Sequence, residues 1–253
     1  MIIIKSKKDI ENIKKSCKLL SSLFKILEKN VVEGITPLEL DNIAENFIKE
    51  NKAISAFKGY KVYGLPPYPA NLCISVNEVV VHGIPNNKQI KSGDIVSIDA
   101  GLIVDGYYSD MAKTFIVGDV PPIVEKLVEV TKKSLYLGIE QAIEGNRIGD
   151  ISHAIQEFVE ANGFHVVKAL TGHGVGKYLH EDPQIPNYGQ PGKGPKLKNG
   201  MTLAIEPMVN IGTDEVISGR DGWTIMSADY SYSAHFEHTI LINGNKPEIL
   251  TEE

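Results

Sequence analysis

The segment DIVSIDAGLIVDGYYSDMAKTF, residues 94–115, constrains the fold more than any other stretch of the chain. Asp105-Gly106 is a two-residue turn signal between two β-type runs, so the segment reads as a hairpin. Pairing Val104 with Tyr107 sets Asp99 opposite Ala112 and makes Asp110 the diagonal neighbour of Asp99. Side chains alternate with period two, so both carboxylates share one face. The surrounding chain is apolar at Val96, Ile98, Phe115 and Ile116. Two acids on one buried face repel, and paired buried carboxylates call for a cation.

Two more acids have comparable settings. Glu206 interrupts MTLAIEPMV and Glu237 interrupts AHFEHTILI, so each reads as a charge inside an apolar strand, over 201–209 and 235–242. One such acid is as well explained by an edge strand facing water. Four of them, with a histidine between glycines, are better explained by a site. That histidine is His173, in TGHGVGKYLHEDP, and His180 follows seven residues later. The spacing is not the i, i+4 pair of a helical H-E-x-x-H motif. Gly172, Gly174 and Gly176 also argue against a helix and allow close backbone approach. Carboxylates with one imidazole suit divalent manganese, iron, cobalt or zinc, and five ligands with two bridging carboxylates can hold a pair of ions. His180 lies too far along to join the ligands, which leaves it a supporting or substrate-contacting role.

Helical periodicity runs over 8–30, where Ile10, Ile13, Cys17, Leu20, Phe24 and Leu27 share a face. Thr36, Pro37 and Glu39 then form a capping signature for a second helix. A loop rich in Gly, Pro and Tyr covers 58–71, and strands are predicted at 72–76, 94–100 and 107–117. Helices return at 122–144 and 148–162, and a strand at 165–170. The order helix, helix, strands therefore occurs twice. At an offset of 111 residues Glu33-Gly34 matches Glu144-Gly145, Glu39 matches Asp150, Leu40 matches Ile151, Phe47 matches Phe158 and Asn51 matches Asn162. These echoes predict two related halves, about 1–118 and 119–253, fused into one α+β domain. Its centre is expected to be an antiparallel sheet with helices on one face.

The net charge of −6 over 253 residues argues against a non-specific nucleic-acid binder. Cys17 and Cys73 make neither a disulfide framework nor a zinc ribbon. The apolar start MIII is too short for a secretory core or a membrane span, so a cytoplasmic protein without membrane contact is expected.

In order and spacing, Asp99, Asp110, His173, Glu206 and Glu237 resemble the five metal ligands of the methionine aminopeptidases. The segments CISVNEVVVHGIP, TGHGVG, AIEPMV and DGWTIMSADYSYSAHFEHTI are similar to that family too, and the likeness runs from about residue 3 to 250. The resemblance implies a pita-bread fold with two pseudo-twofold halves. The short distance from His180 to Glu206 and the lack of a cysteine-rich extension point to the short bacterial type 1 form. Implied cofactors are two divalent ions, with Asp110 and Glu237 bridging, Asp99 on one ion, and His173 and Glu206 on the other. A water held between them would attack the first peptide bond, and Glu206 would carry its proton to the leaving amine.

His82 is implied to contact the peptide near that bond, and His180 to donate to its carbonyl oxygen. Tyr68, Cys73 and Trp223 match pocket positions, and Leu179 stands where phenylalanine is common. His235 stands where glutamine is common and is expected beside the methionine pocket. The loop at 58–67 is longer than usual, so Tyr60 and Tyr63 receive no role. His153, His165 and His238 are expected outside the site. Implied partners are nascent polypeptide N-termini near the ribosome, with no specific nucleic acid, and the chain is expected to be a monomer. The rival readings are a proline-specific aminopeptidase of the same fold and a non-catalytic binding protein built on it.

Overall fold

The structure is a computed structural model that describes residues 1–252. Helices α1 (Lys7–Asn30) and α2 (Pro37–Glu50) precede the strands β1 (Leu72–Val76), β2 (Ile95–Val104) and β3 (Tyr107–Ile116). Helices α3 (Pro122–Glu140) and α4 (Ile148–Ala161) follow. After them come β4 (Thr171–Gly174), β5 (Glu181–Pro186), β6 (Thr202–Ile205), β7 (Met208–Asn210), β8 (Ser233–His235) and β9 (Glu237–Leu241).

The sequence echo has a structural counterpart. Displaced by 111 residues, Pro37–Glu50 falls on Ile148–Ala161, so α2 and α4 have the same length and matching ends. At their starts Thr36 N donates to Glu39 Oε2 at 2.8 Å and Arg147 N donates to Asp150 Oδ2 at 2.7 Å. At their ends Asn51 Nδ2 donates to Phe47 O at 2.9 Å and Asn162 Nδ2 to Phe158 O at 2.8 Å. The same local chemistry therefore starts and stops both helices.

Each helix pair covers its own core. Leu20, Leu23 and Leu40 from α1 and α2 pack on Ile98, Ala100 and Leu102 of β2. Val124, Leu127, Ile151 and Ile155 from α3 and α4 pack on Leu203, Ile205 and Ile240. The central sheet is nine-stranded and runs Ile54–Ser55, β2, β3, β9, β6, β4, β5, with β1 beside β2 and Glu248–Ile249 beside β9. All its pairings are antiparallel.

Two predicted strands need correction. The run 201–209 divides at Glu206-Pro207, and the run 235–242 divides at Phe236. The first part of one run and the last part of the other, β6 and β9, lie in the large sheet, whereas β7 and β8 pair with each other in a separate three-stranded sheet. Proline has no N–H for a ladder, so Pro207 suits a corner where a strand leaves its sheet. Glu206 is thus a corner residue and not the middle of a strand. The predicted strand 165–170 is also shorter, covering only His165–Val166. Among the described residues, no helix is long and apolar enough to cross a membrane.

Candidate metal centre and substrate cavity

Strand register brings the acids together. Val104 pairs with Tyr107, so Asp99 lies opposite Ala112 and Asp110 opposite Gly101. Ala112 also faces Glu237 on its other side. Thr239, two residues along, pairs with Ala204, and Ala204 pairs with His173. Alternation then puts Asp99, Asp110, Glu237 and His173 on one face of the sheet, opposite the face where Ile98 and Ala100 meet the helices. Glu206 joins them from the corner after β6. Gly172 makes the strand spacing possible, since a Cβ there would lie 2.4 Å from Ala204 O.

Ligand atoms of Asp110, His173 and Glu237 all lie within 4.8 Å of one another. His173 Nε2 is 3.7 Å from Asp110 Oδ2 and 3.5 Å from Glu206 Oε1. Its Nδ1 lies 2.9 Å from Gly174 O, so Nδ1–H donates there and the lone pair on Nε2 faces the acids. Burial lowers the pKa of this imidazole to about 3, so it is neutral and these contacts are not ion pairs. Burial also raises Asp99 to about 7 and Glu206 to about 8, and drives Asp110 and Glu237 well above the ordinary carboxylate range.

The donor set suits a cation. Asp99 Oδ1, Asp110 Oδ1 and Glu237 Oε1 are buried without any hydrogen-bond partner. An unpartnered buried acceptor costs about 1–3 kcal/mol, more when charged, so three together are expensive unless a cation meets them. With the free Nε2 of His173 they fit divalent metal.

A cavity of about 370 Å³ opens onto these groups. Asp99, Asp110, His173, Glu206 and Glu237 line it, as do His82 and His180. Tyr68, Cys73, Leu179 and Trp223 form an apolar cluster in its wall, and Tyr68 and Trp223 meet edge to face at 5.3 Å. His82 has a left-handed backbone (φ 59°) and stands 6.4 Å from the Trp223 ring, with its pKa lowered by burial to about 4.

His180 is closer to the metal ligands than its sequence separation suggests. Its ring is 4.5 Å from that of His173, edge to face. Tyr60 OH lies 2.7 Å from His180 Nδ1. Tyr60 received no role from the sequence, nor did Phe57, Val62 and Met208, yet all four line the cavity. The aromatic content of GYKVYGLPPYP was the available signal, but loop length hid which ring turns inward. Tyr63 is fully exposed.

His235 lies next to the cavity, paired with the lining residue Met208. The ring shares the inward face but is 1 % exposed and does not line the cavity. Its Nε2 lies 3.6 Å from Glu206 Oε2 and has no hydrogen-bond partner. The chain changes sheets at Phe236, which leaves the His235 ring against Glu206. His238 points away, with Nδ1 2.8 Å from Thr251 Oγ1. His153 is exposed on α4 near Glu157, and His165 is exposed.

If Tyr60 OH donates to His180 Nδ1, the proton of that imidazole resides on Nε2. Tyr60→Phe is therefore expected to lower kcat about tenfold while barely changing thermal stability, because the phenol sits on an open loop. Steady-state kinetics and melting of the metal-loaded variant check this, and parental kcat would exclude the contact from turnover.

The Metallopeptidase family M24 model matches residues 11–244. The methionine aminopeptidase of Clostridium perfringens is 51% identical over 251 residues, covering 99% of both chains. Methionine aminopeptidase 1 of Bacillus subtilis is 47% identical, again covering 99% of both. The solved methionine aminopeptidase of Thermotoga maritima superposes with a TM-score of 0.96 at 48% identity, covering 100% of both chains. Prolidase from Pyrococcus furiosus gives a TM-score of 0.78 at 25% identity, and the match covers only 66% of it. Fold and site thus define a pita-bread metallopeptidase, and the chain belongs to metallopeptidase family M24. Within that family it groups with the methionine aminopeptidases, and the proline-specific alternative is not favoured.

Proposed function

We propose that the chain, acting as one catalytic unit over residues 1–253, removes the N-terminal methionine from nascent polypeptides whose second residue is small. The observation that carries this reading is the meeting of unpartnered carboxylate oxygens and a free imidazole nitrogen with an apolar, aromatic-walled cavity. We further propose a monomer working in the cytoplasm, where nascent chains emerge.

Asp99, Asp110, His173, Glu206 and Glu237 would hold two divalent ions. Bound there, the ions would supply Lewis-acid activation of a water and of the peptide carbonyl. Glu206 would take the proton of that water and pass it to the leaving amine. Burial pushes this carboxyl up and bound cations would push it down, and these opposed effects suit a group that takes up and gives back a proton. His180 would donate to the carbonyl oxygen as negative charge grows on it. His82 would hold the peptide beside the bond. Tyr68, Cys73, Leu179 and Trp223 would exclude water around an unbranched thioether side chain. Small second residues are favoured because the acids and histidines crowd the cavity floor.

The test offers Met-Gly and Xaa-Pro peptides side by side to protein loaded anaerobically with manganese, iron, cobalt or zinc, with and without chelator. Release of methionine alone, abolished by chelator, is the expected result. Faster cleavage of Xaa-Pro, or cleavage unaffected by chelator, overturns the reading.

A further inference from the structure

Leu179 and His180 end an irregular segment, residues 175–180, that precedes β5. Its start is tied to neighbouring strands, where Val175 N donates to Thr202 O at 3.1 Å and Gly176 O accepts from Tyr108 N at 2.8 Å, but the backbone of 177–180 has no such bond to a strand. The next residue, Glu181, does not line the cavity, and its side chain is only 3 % exposed. Its Oε2 accepts from Lys5 Nζ at 2.6 Å, and the Lys5 side chain is 4 % exposed. Its Oε1 accepts from Lys177 N at 2.8 Å and Tyr178 N at 3.2 Å, both inside the irregular segment. Lys5 is held in turn, because its N donates to Gly200 O at 2.8 Å and its Nζ donates to Ile3 O at 3.2 Å. Gly176 leaves room for the pair, since a Cβ there would lie 2.5 Å from Lys5 Cε and 2.8 Å from Glu181 Oε1.

A buried ion pair is a weak source of stability, because desolvation offsets its Coulomb attraction. It does fix geometry: both carboxylate oxygens meet donors of set direction, two of them the segment's own amides. We infer that Lys5 and Glu181 are positioning residues that set segment 175–180, and through it the imidazole of His180, against the cavity. The inference rests on the role proposed for His180.

Glu181→Gln alone strands a buried ammonium and destabilises the fold. The informative protein is therefore Lys5→Met/Glu181→Leu, in which both charges are removed and the amides of the exposed residues Lys177 and Tyr178 lose their side-chain acceptor to water. Metal-loaded, it is expected to melt close to the parent, yet its kcat on a Met-Gly peptide falls about tenfold with KM little changed, because misplacement of a donor acts on turnover. In a His180→Ala background the same two substitutions are expected to change kcat less than about twofold. The imidazole NMR signals of His180, assigned by their loss in His180→Ala, are expected to shift in the paired variant, while those of His153 stay in place. Parental kcat with unmoved His180 signals overturns the inference. An equal loss of kcat in both backgrounds also overturns it, by showing a structural effect alone. A parent that releases no methionine refutes the proposed function instead, and the imidazole signals still decide whether Lys5 and Glu181 place the ring.

Discussion

Glu206→Gln is expected to keep the fold and lower kcat/KM on a Met-Gly peptide by roughly 10³-fold, the scale of a lost general acid–base group together with a lost anionic ligand. The substitution preserves shape, and the backbone carbonyl of residue 206 still accepts from Asn187 Nδ2. What disappears is the charge and the ability to carry a proton. Glu206 lies between two imidazoles, 3.5 Å from His173 Nε2 through Oε1 and 3.6 Å from His235 Nε2 through Oε2. Stability should move the other way. Removing one of four crowded buried acids relieves repulsion, so the metal-free variant is expected to melt above the metal-free parent at pH 8. Kinetics with measured metal content, plus paired melts, check both parts. Near-parental turnover at full metal content would remove Glu206 from the proposed role.

The hairpin was legible because everything that fixes it is local. Asp105-Gly106 sets the turn, the turn sets the register, and the register puts Asp99 and Asp110 on one face. The boundaries of α2 and α4 were legible for the same reason, since Thr36, Glu39, Asp150, Asn51 and Asn162 act on their own chain neighbours, whereas the helix expected over 122–144 ends at Glu140. The corners at Pro207 and Phe236 were not. An apolar run carrying one acid reads alike whether the chain stays in its sheet or leaves it, and only pairing with distant strands decides. Tyr60 was illegible for a related reason: its contact with His180 spans 120 residues and depends on the path of a loop with weak local signals.

Chelation is expected to lower the melting temperature, by an amount that grows as pH rises from about 6.5 to 8.5. Without metal, the folded protein holds protons on its site acids that the unfolded chain releases near pH 4. Asp99 is raised from 3.8 to about 7 and Glu206 from 4.5 to about 8, and burial drives Asp110 and Glu237 well above their ordinary range too. A folded state that binds more protons loses stability as pH rises, at about 1.4 kcal/mol per pH unit for each extra proton. The buried histidines act in the opposite sense. His82, His235 and His238 fall from 6.5 to about 4 and His173 to about 3, so their neutral folded forms lose stability as pH drops below 6.5. The two trends oppose each other below pH 6.5. Above it the histidines are neutral in both states, and the carboxylates alone decide. At 2–4 °C per kcal/mol for a chain of this size, Asp99 and Glu206 alone should lower the metal-free melting temperature by roughly 5–10 °C between pH 6.5 and 8.5, and Asp110 and Glu237 act in the same direction. Metal reverses the slope, because ionised carboxylates are its ligands and its affinity rises with pH. Melts across this window, with Mn²⁺ and with chelator, should therefore diverge as pH increases. Coincident melts, or a metal-free protein that grows more stable towards pH 8.5, would show that these four acids do not share one cation site.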